Sequence, residues 1–400
     1  MVRHGRTPAV AFSEVPVSIR QRLPFIPVLL ALILAGTVSG ASRTAIPELP
    51  ARLTDQEFWR LTADLSEPNG AFRSENLLSN EMAFAVLLPE VLSRTKPGGV
   101  YMGVGPEQNF TYIAGMKPRM AFITDVRRGN LHVLLMYKAL FELSANRAEF
   151  VSRLFTKPRP ATLTATSSVA DIMDTYWEVT TGDEKAFAAN LDAVMNNLTK
   201  THALPLDAED RDGVSRSYRA FYAYGPGMNY SATTSLGPLS GGNAATYRDL
   251  MKQIDANGKA LTYLASEASF GVVKDLFSKN LIVPLVGNFS GPKTIRAIGD
   301  YVRAKGATVT AFYLSSVEPY LRRDGTQPVF CANAATLPIT ESSIFIRTGA
   351  GASMPVPAGT PAVRIGSYQN GAVGPMLNGC GAPATSSWQS TVRRAPLALR

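Results

Sequence analysis

Apolar runs and amphipathic stretches alternate along most of the chain after its first forty residues. Short apolar runs that predict buried strands lie at residues 100–105, 120–126, 261–266, 281–286 and 308–314. Stretches with helical spacing lie before and between them, at residues 53–66, 81–93, 106–116, 130–144, 269–279 and 292–305. Short connections between alternating strands and helices predict an α/β fold with a doubly wound, mostly parallel sheet and right-handed crossovers.

Two segments interrupt this alternation. Residues 156–260 contain prolines, a Thr/Ser-rich stretch, two helical segments and the Gly-rich sequence SLGPLSGGN, and we interpret them as an insertion or lid. From residue 326 onward Pro, Gly, Ser and Thr dominate, apart from a predicted strand at residues 343–347, so we expect an irregular tail with a disordered end. The predicted divisions are an N-terminal signal or anchor, a helical segment, an α/β domain and a C-terminal extension, at residues 1–40, 41–97, 98–325 and 326–400.

The N-terminus has the pattern of an export signal. Residues 1–22 carry four Arg against one Glu, and the following run is apolar over about fifteen positions before it ends in small residues ahead of Ala41. Pro24 and Pro27 lie within the run, and the basic region is long, so an uncleaved membrane anchor at residues 23–38 is the alternative. No later stretch reaches the roughly 18 apolar residues that span a bilayer. We therefore expect an exported protein, periplasmic or secreted, that contacts membrane only through this segment.

Composition and charge narrow the possible functions. The 400 residues are 46% hydrophobic and 18% charged, which favours a large buried core over disorder. The 40 Lys and Arg exceed the 31 Asp and Glu, but they form no basic block, so nucleic-acid binding is not expected. Three His and two Cys are widely separated, so no metal centre is expected.

Both cysteines lie in the C-terminal extension. An exported chain meets an oxidising environment, so we predict a disulfide between Cys331 and Cys380 that ties down this segment. Two unpaired thiols are the alternative, because the sequence does not place their Cα atoms within the roughly 7 Å that bonding requires.

The first two predicted strands carry the candidate binding residues. Gly103 and Gly105 stand where the first strand passes into a helix, a position at which the backbone can approach a ligand closely. Asp125 closes the second strand, at the spacing from this turn at which a carboxylate accepts ribose hydroxyls. Gln108 replaces the third glycine of a dinucleotide fingerprint, which favours a smaller nucleoside such as S-adenosylmethionine. The alternative is purely structural: turn glycines, and an aspartate paired with one of the two arginines that follow it.

Four longer stretches resemble a known family. They are SEPNGAFRSENLLSNE, GGVYMGVGPEQNFTYIAGMKPRMAFITDVRRGN, LLMYKALFELSANRAEFVSRLF and PLVGNFSGPKTIRAIGDYVRAKGATVTAFYLSSVEPYL. They resemble an uncharacterised family of bacterial, often exported, proteins with a class I S-adenosylmethionine methyltransferase-like Rossmann fold. The resemblance covers roughly residues 53–155 and 261–323.

This resemblance implies roles for particular residues. Gly103 and Gly105 would face the amino-acid part of S-adenosylmethionine, Glu107 and Asn109 would lie at its rim, and Asp125 would hold the ribose. The sequence also departs from the methyltransferase pattern. Glu107 replaces a third glycine, and the run GNFSGP at residues 287–292 replaces the catalytic Asn/Asp-Pro-Pro-aromatic motif.

Other polar residues follow later predicted strands. Glu267, Asn288 and Glu318 occupy such positions, where they can contact an adenine or act as an acid or base, or only cap helices and loops. A further group crowds the loop before the second helix and can either fold over the pocket or cap that helix: Glu75, Asn76, Asn80 and Glu81. His132 lies on an apolar helix and is interpreted as a core residue. The sequence has no nucleophile elbow and no Walker loop.

Two functional hypotheses remain. The first is a methyltransferase, in which the protein orients an acceptor in line with the methyl group and needs little dedicated catalytic machinery. The second is a non-catalytic binding protein on a degenerate Rossmann scaffold outside the cytoplasm, where S-adenosylmethionine should be scarce. Neither hypothesis assigns catalytic residues, an acceptor substrate or an oligomeric state.

Overall fold

The computed structural model describes residues 48–348, apart from residues 73, 80, 83 and 231–244, and residues 371–380 apart from residue 378. Several predictions fall outside the described residues: the export signal or anchor, the capping role of Asn80, the Gly-rich part of the insertion, and the disordered end of the tail.

A six-stranded sheet lies at the centre of the described chain. Its strands are β1 Val100–Gly103, β2 Met120–Asp125, β3 Ile282–Val286, β4 Val309–Ser315, β5 Ile344–Thr348 and β6 Gly371–Pro375. The strand order is β3-β2-β1-β4-β5-β6; the first five strands run parallel, and β6 pairs antiparallel with β5. The predicted α/β class with a mostly parallel sheet is confirmed.

Helices connect these strands. The α-helices of the described residues are α1 Asp55–Leu65, α2 Phe84–Arg94, α3 Gln108–Met116, α4 Arg128–Leu143, α5 Arg147–Phe155, α6 Val169–Glu178, α7 Glu184–Asn196, α8 Ala208–Tyr224, α9 Tyr247–Met251, α10 Glu267–Ser278, α11 Thr294–Ala304, α12 Val317–Arg323 and α13 Gln327–Ala334. Side chains in the N-cap position begin several of them; Thr54, for example, forms a capping box with Glu57 at the start of α1.

Helices cover both faces of the sheet. Successive side chains of a strand point to opposite sides, and in the central strands both sets of side chains are buried. On one face, the rings of Tyr101 in β1 and Tyr313 in β4 lie 6.4 and 5.2 Å from that of Tyr112 in α3. On the other face, the ring of Phe122 in β2 lies 5.8 Å from that of Tyr301 in α11. The central strands are therefore buried on both sides, which explains why they read as continuous apolar runs.

The strand order reverses between β1 and β4. The chain moves from β1 through β2 to β3 in one direction and then returns to β4 and β5 on the other side of β1. Connections leaving the carboxyl ends of β1 and β4 diverge at this point, which is the position at which open α/β sheets bind ligands.

One predicted strand is wrong. Residues 261–266 form turns ahead of α10, and no strand pairs with them. Tyr263 and Leu264 are fully buried, and the backbone N–H of Tyr263 donates to Thr111 Oγ1 on α3 at 3.3 Å. A short apolar run only indicates burial. Here it belongs to a loop that packs against a helix.

The insertion and the C-terminal extension contain more structure than predicted. The described part of residues 156–260 includes four α-helices, α6 to α9, and α8 packs against α4. The extension contains α13 and β6 in addition to the expected β5. The predicted disulfide is confirmed: Cys331 in α13 is bonded to Cys380, with their Cα atoms 5.3 Å apart. It joins α13 to the segment that follows the antiparallel strand.

His202 connects the insertion to the sheet domain. Its Nδ1 lies 2.6 Å from Asp55 Oδ1 in α1, and its Nε2 lies 2.5 Å from Glu142 Oε2 in α4. The hydrogen bond to Glu142 is the main cause that raises the pKa of His202, and the one to Asp55 adds to it, against burial and the nearby Lys138 ammonium. The imidazolium therefore bridges two carboxylates.

The substitution His202→Ala should cost stability in a pH-dependent way. Because the folded-state pKa is raised, the contribution of His202 is complete below its unfolded pKa of about 6.5 and is lost as pH rises through the folded value. We expect a loss of about 1.5 to 3 kcal/mol at pH 6 and a smaller loss at pH 9. Urea unfolding at both pH values measures it, with Lys200→Ala at an exposed position of the adjacent π-helical turn as control. An equal loss at both pH values would contradict the bridge.

Candidate functional site

The turn after β1 is held by one buried side chain. Asn109 Nδ2 lies 3.0, 3.1 and 2.8 Å from the carbonyl oxygens of Val104, Gly105 and Pro106, which share its two N–H donors. Its Oδ1 accepts a hydrogen bond from the Tyr101 hydroxyl at 2.9 Å. Asn109 is completely buried, so these bonds replace water for the three carbonyls and fix the path of the backbone into α3.

The two glycines of this turn serve different purposes. A Cβ on Gly103 would lie 1.9 Å from Asn109 Oδ1, so the glycine makes room for that side chain. Gly105 has a φ of +79°, a conformation that L residues other than glycine adopt at a cost. The sequence predicted that a ligand approaches the backbone closely at Gly103. In the structure it is the side chain of Asn109 that does so.

Glu107 lies in the interior just before α3. Both carboxyl oxygens lie 3.2 Å from the backbone N–H of Ser79, which donates to them. Burial raises the pKa of Glu107 to about 8, and the nearby Glu81 carboxyl also raises it, whereas backbone hydrogen bonds lower it. The carboxyl group is therefore mainly protonated at neutral pH. The resemblance implied a position at the rim of a pocket, but the side chain is completely buried.

Asp125 forms a buried bidentate ion pair with Arg127. Arg127 Nε lies 3.0 Å from Asp125 Oδ1, and Arg127 Nη2 lies 2.9 Å from Oδ2. The backbone N–H of Arg127 also donates to Oδ1 at 3.0 Å. Arg127 Nη1 donates to the carbonyl oxygens of Ser74 and Glu75, so the loop before α2 lies over this ion pair. Asp125 is thus paired with one of the arginines that follow it, which is the structural alternative to ribose binding. Its Oδ1 accepts two hydrogen bonds from the protein and its Oδ2 accepts one.

A second polar group lies at the carboxyl end of β4. Tyr313 Oη and Ser315 Oγ both donate to the carboxylate of Glu81 from the loop before α2. Gln108 Nε2 donates to the Tyr313 hydroxyl at 3.2 Å. Ser315 has a φ of +50°, which is unusual for a residue other than glycine. The loop before α2 therefore lies over the carboxyl end of β4 as well as over Asp125.

Asn288 lies at the same edge of the sheet as Asp125. The N–H of the preceding Gly287 donates to the Asp125 carbonyl oxygen at 2.8 Å, which places the two strand ends side by side. Asn288 Oδ1 accepts from the N–H and the hydroxyl of Ser290, both at 3.0 Å. Glu67 accepts the Asn288 N–H at 3.0 Å. The exposed side chain of Asn288 thus organises the loop after β3.

Glu267 lies elsewhere, whereas Glu318 follows the carboxyl end of β4 as expected. Glu267 was expected after a strand; it is instead the first residue of α10, and its carboxylate lies 3.0 Å from Nε of Arg147. Arg147 follows the C-terminal end of α4, whereas Asp125 precedes its N-terminal end, and the 16 residues of α4 separate them by about 24 Å. Glu318 is buried in α12 and lies 2.7 Å from Nε of Arg347.

Several buried polar atoms at this edge lack a hydrogen-bond partner in the described part of the chain. They are Gln108 Oε1 in the first turn of α3, Thr124 Oγ1 in the penultimate residue of β2, and both Oδ1 and Nδ2 of Asn130 in the first turn of α4. These three residues are at most 3% exposed. Folded proteins leave few such groups unpaired, so each requires an explanation.

The sequence did not single out Thr124 or Asn130. Their signal was weak: a polar residue at the end of an apolar strand, and another at the start of an apolar helix. His132, by contrast, is the buried core residue that was expected. Its Nε2 lies 2.9 Å from Asp210 Oδ1 of α8, and Arg128 binds the same carboxylate.

The described residues contain neither a metal-binding cluster nor a membrane-spanning helix. Within residues 48–348 and 371–380, as far as they are described, no group of three or more His, Cys, Asp or Glu is arranged to hold a metal ion. Among those same residues, no helix has both the length and the apolarity that crossing a membrane requires.

Comparison with known families identifies the chain. A family model described as a domain of unknown function (DUF7790) matches residues 77–372, which include the turn after β1, the Asp125 ion pair and the whole of the insertion. The chain belongs to this family. No curated protein matches the DUF7790 chain.

The buried carboxyl group of this DUF7790 chain should give its stability a distinct pH dependence. A pKa raised from 4.5 to about 8 means that the folded state binds more protons between these values, so the contribution of Glu107 to stability falls as pH rises through that window. Glu107→Gln should remove this fall, on the order of a few kcal/mol, because the amide is neutral throughout.

Urea unfolding at pH 5, 6, 7 and 8 measures the difference between the parent and Glu107→Gln. Glu209→Gln, at an exposed position of α8, is the matched control and should keep the pH dependence of the parent. Identical pH slopes for the parent and Glu107→Gln would show that Glu107 is ionised in the folded protein.

Proposed function

We propose that the chain is an exported protein with a methyltransferase-like Rossmann domain, and that it binds S-adenosylmethionine or a related nucleoside at the carboxyl edge of β1 and β2. The strand order supports this proposal, since doubly wound nucleotide-binding sheets share the order 3-2-1-4-5 and bind their ligands where it reverses. The Gly105 turn ends β1 at that point, and Asp125 ends the neighbouring strand.

The observation that carries the proposal is the unmatched hydrogen-bonding capacity at this edge. Gln108 Oε1 and Thr124 Oγ1 each have no protein partner in the described residues, and Asn130 has two unpaired amide atoms. An unsatisfied buried polar atom costs about 1 to 3 kcal/mol. A nucleoside carries ring nitrogens, an exocyclic amine and ribose hydroxyls, and it can satisfy donors and acceptors of both kinds.

Asp125 can hold a ribose while it remains paired with Arg127. A carboxylate has about four lone-pair sites. Three hydrogen bonds from Arg127 occupy part of them, two on Oδ1 and one on Oδ2. We assign the remaining acceptor site of Oδ2 to a ribose hydroxyl. The bidentate pair then fixes the orientation of the carboxylate before the ligand arrives.

S-adenosylmethionine supplies an electrophilic methyl group on its sulfonium when bound. The residues of this chain would orient the ligand: the Gly105 turn by its fixed backbone, Asp125 through Oδ2, and Asn130 through its amide. The loop before α2 would exclude water from the edge, because Ser74 and Glu75 hold Arg127 there.

Two contacts favour a non-catalytic binding protein as the second candidate function. The side chain of Asn109 occupies the space above Gly103, and Arg127 occupies part of the Asp125 carboxylate. Both contacts reduce the room for a cofactor at the positions where methyltransferases bind it. Binding without transfer of a labelled methyl group to any acceptor would favour this candidate.

The substitution Asn130→Ala should weaken ligand binding without destabilising the protein. The amide of Asn130 has no hydrogen bond to the described residues, so its removal costs the folded chain no such bond, whereas the ligand would lose two. We expect binding of S-adenosylmethionine and its demethylated product to weaken about tenfold. Thermal shift and calorimetry on the full chain measure stability and binding together.

Asn197→Ala is the matched control for Asn130→Ala. Asn197 Oδ1 is also buried and unpaired, but Nδ2 donates to Glu142 near the opposite end of α4, about 18 Å along the helix from Asn130. Asp125→Asn provides a second site variant and should weaken binding at least tenfold. Absence of binding to the parent, or unchanged binding in both site variants, would contradict the proposed nucleoside site.

Export is the second part of the proposal, and the disulfide supports it. Disulfides persist in oxidising compartments and are rare in the cytosol. A tagged full chain should fractionate outside the cytoplasm, either shortened near Ala41 or held in the membrane, with Cys331 and Cys380 bonded. Mass spectrometry after alkylation without reduction checks both points. A soluble cytoplasmic chain with two alkylated cysteines would contradict export.

A further inference from the structure

A polar groove lies at the amino edge of the sheet, opposite the proposed nucleoside site. It has a volume of about 360 Å³ and is lined by the segments that lead into β1, β2, β4 and β5. Small-ligand sites have volumes of about 300 to 1,000 Å³, so the groove has room for a small ligand. None of the residues named above for the nucleoside site lines it.

The charge of the groove is positive. Its lining contains Lys96, Arg119 and Lys305, and among the lining residues Glu48 alone carries a carboxylate. Three cations and one carboxylate give a formal charge of +2. A phosphate monoester carries a charge of about −1.5 to −2 at pH 7, which matches this balance more closely than a single carboxylate does.

The lining also offers hydrogen-bond donors in suitable positions. Arg119 Nη2 donates to the Leu49 carbonyl oxygen at 2.7 Å, and Nη1 lies 3.3 Å from Glu48 Oε2, so the guanidinium is held at the groove. Lys96 makes no ion pair or hydrogen bond within the described residues. The Thr308 hydroxyl likewise has no partner among them. Ammonium, guanidinium and hydroxyl donors are the groups that bind phosphate oxygens.

Lys305 completes the cationic lining from α11. Its Nζ lies 5.8 Å from the centre of the Tyr301 ring. The pKa of Glu57 in α1 is lowered mainly by hydrogen bonds from Thr54, and the charge of Lys305 adds the smallest of the contributions that lower it. Lys305 also follows the C-terminal end of α11, where a cation is favoured by the helix dipole. Lys96 likewise lies two residues beyond the C-terminal end of α2, and it lines the same groove.

We infer that this groove is a second binding site, and that it takes a phosphate group. The phosphate can belong to a free ligand or to the headgroup of an anionic lipid.

The test uses the charge-reversed double variant Lys96→Glu with Lys305→Glu, which changes the formal charge of the lining from +2 to −2. The matched control is Lys185→Glu with Lys200→Glu, which makes the same charge change at exposed positions of the insertion. Inorganic phosphate, titrated calorimetrically into the full chain at constant ionic strength, should bind the parent and the control at least about tenfold more tightly than the groove variant.

A second arm distinguishes the two sources of phosphate. Vesicles of phosphatidylglycerol and of phosphatidylcholine are compared for binding of the same full-length variants, so that insertion of the apolar segment contributes equally to both lipids. A preference for phosphatidylglycerol that only the groove variant loses identifies a lipid headgroup; loss of inorganic phosphate binding alone identifies a free ligand. Equal behaviour of the groove variant and the control in both arms would overturn the inference. S-adenosylmethionine binding should be unchanged in the groove variant, so this outcome is independent of the nucleoside site.

Discussion

The fold at the carboxyl edge depends on the hydrogen bonds of one side chain, the buried amide of Asn109. It satisfies three consecutive carbonyl oxygens in the turn after β1 and accepts the Tyr101 hydroxyl. Gln108 Nε2 adds one longer hydrogen bond to the Val104 carbonyl oxygen at 3.4 Å, so Asn109 is the main donor to a site that is completely buried. The requirement extends to the sequence: position 103 must be glycine to leave room for the amide, and position 105 must adopt a positive φ.

This fixed turn determines which polar groups face the interior. Because α3 starts immediately after this turn, Glu107 and Gln108 are buried at the point where the strand order reverses. The loop before α2 then covers them with the Ser79 N–H and the Glu81 carboxylate. The result is an edge in which some polar atoms are fully satisfied by the protein and others are not. Unpaired polar atoms also occur elsewhere in the described interior, as at Tyr137 and Asn197, so this edge is distinguished by having several of them where the strand order reverses.

The sequence predicted the strands whose apolar pattern arises from burial on both faces of the sheet. The strands beginning at Val100, Met120, Ile282 and Val309 are apolar because both faces are covered, and each was placed within a residue or two. Residues 261–266 have the same local pattern, but their burial comes from a loop packed against α3, which periodicity does not reveal. The site followed the same rule. Gly105 and Asp125 were found from their spacing along the sequence. The amide of Asn130 is notable only because it has no hydrogen-bond partner among the residues that the structure describes, which the sequence does not show.

The two edges of the sheet differ in a way that follows from the direction of its parallel strands. At the carboxyl edge, the ionic groups are buried and paired within the chain, as in the ion pair of Asp125 with Arg127. At the amino edge, Lys96 and Arg119 remain exposed around an open groove. Buried, pre-oriented groups favour a neutral or weakly charged ligand that is bound by shape and hydrogen bonds, because a buried ion pair leaves little net charge. Exposed cations act over a longer range and favour an anion. The two edges therefore suit chemically different ligands, and one ligand would not be expected to compete with the other.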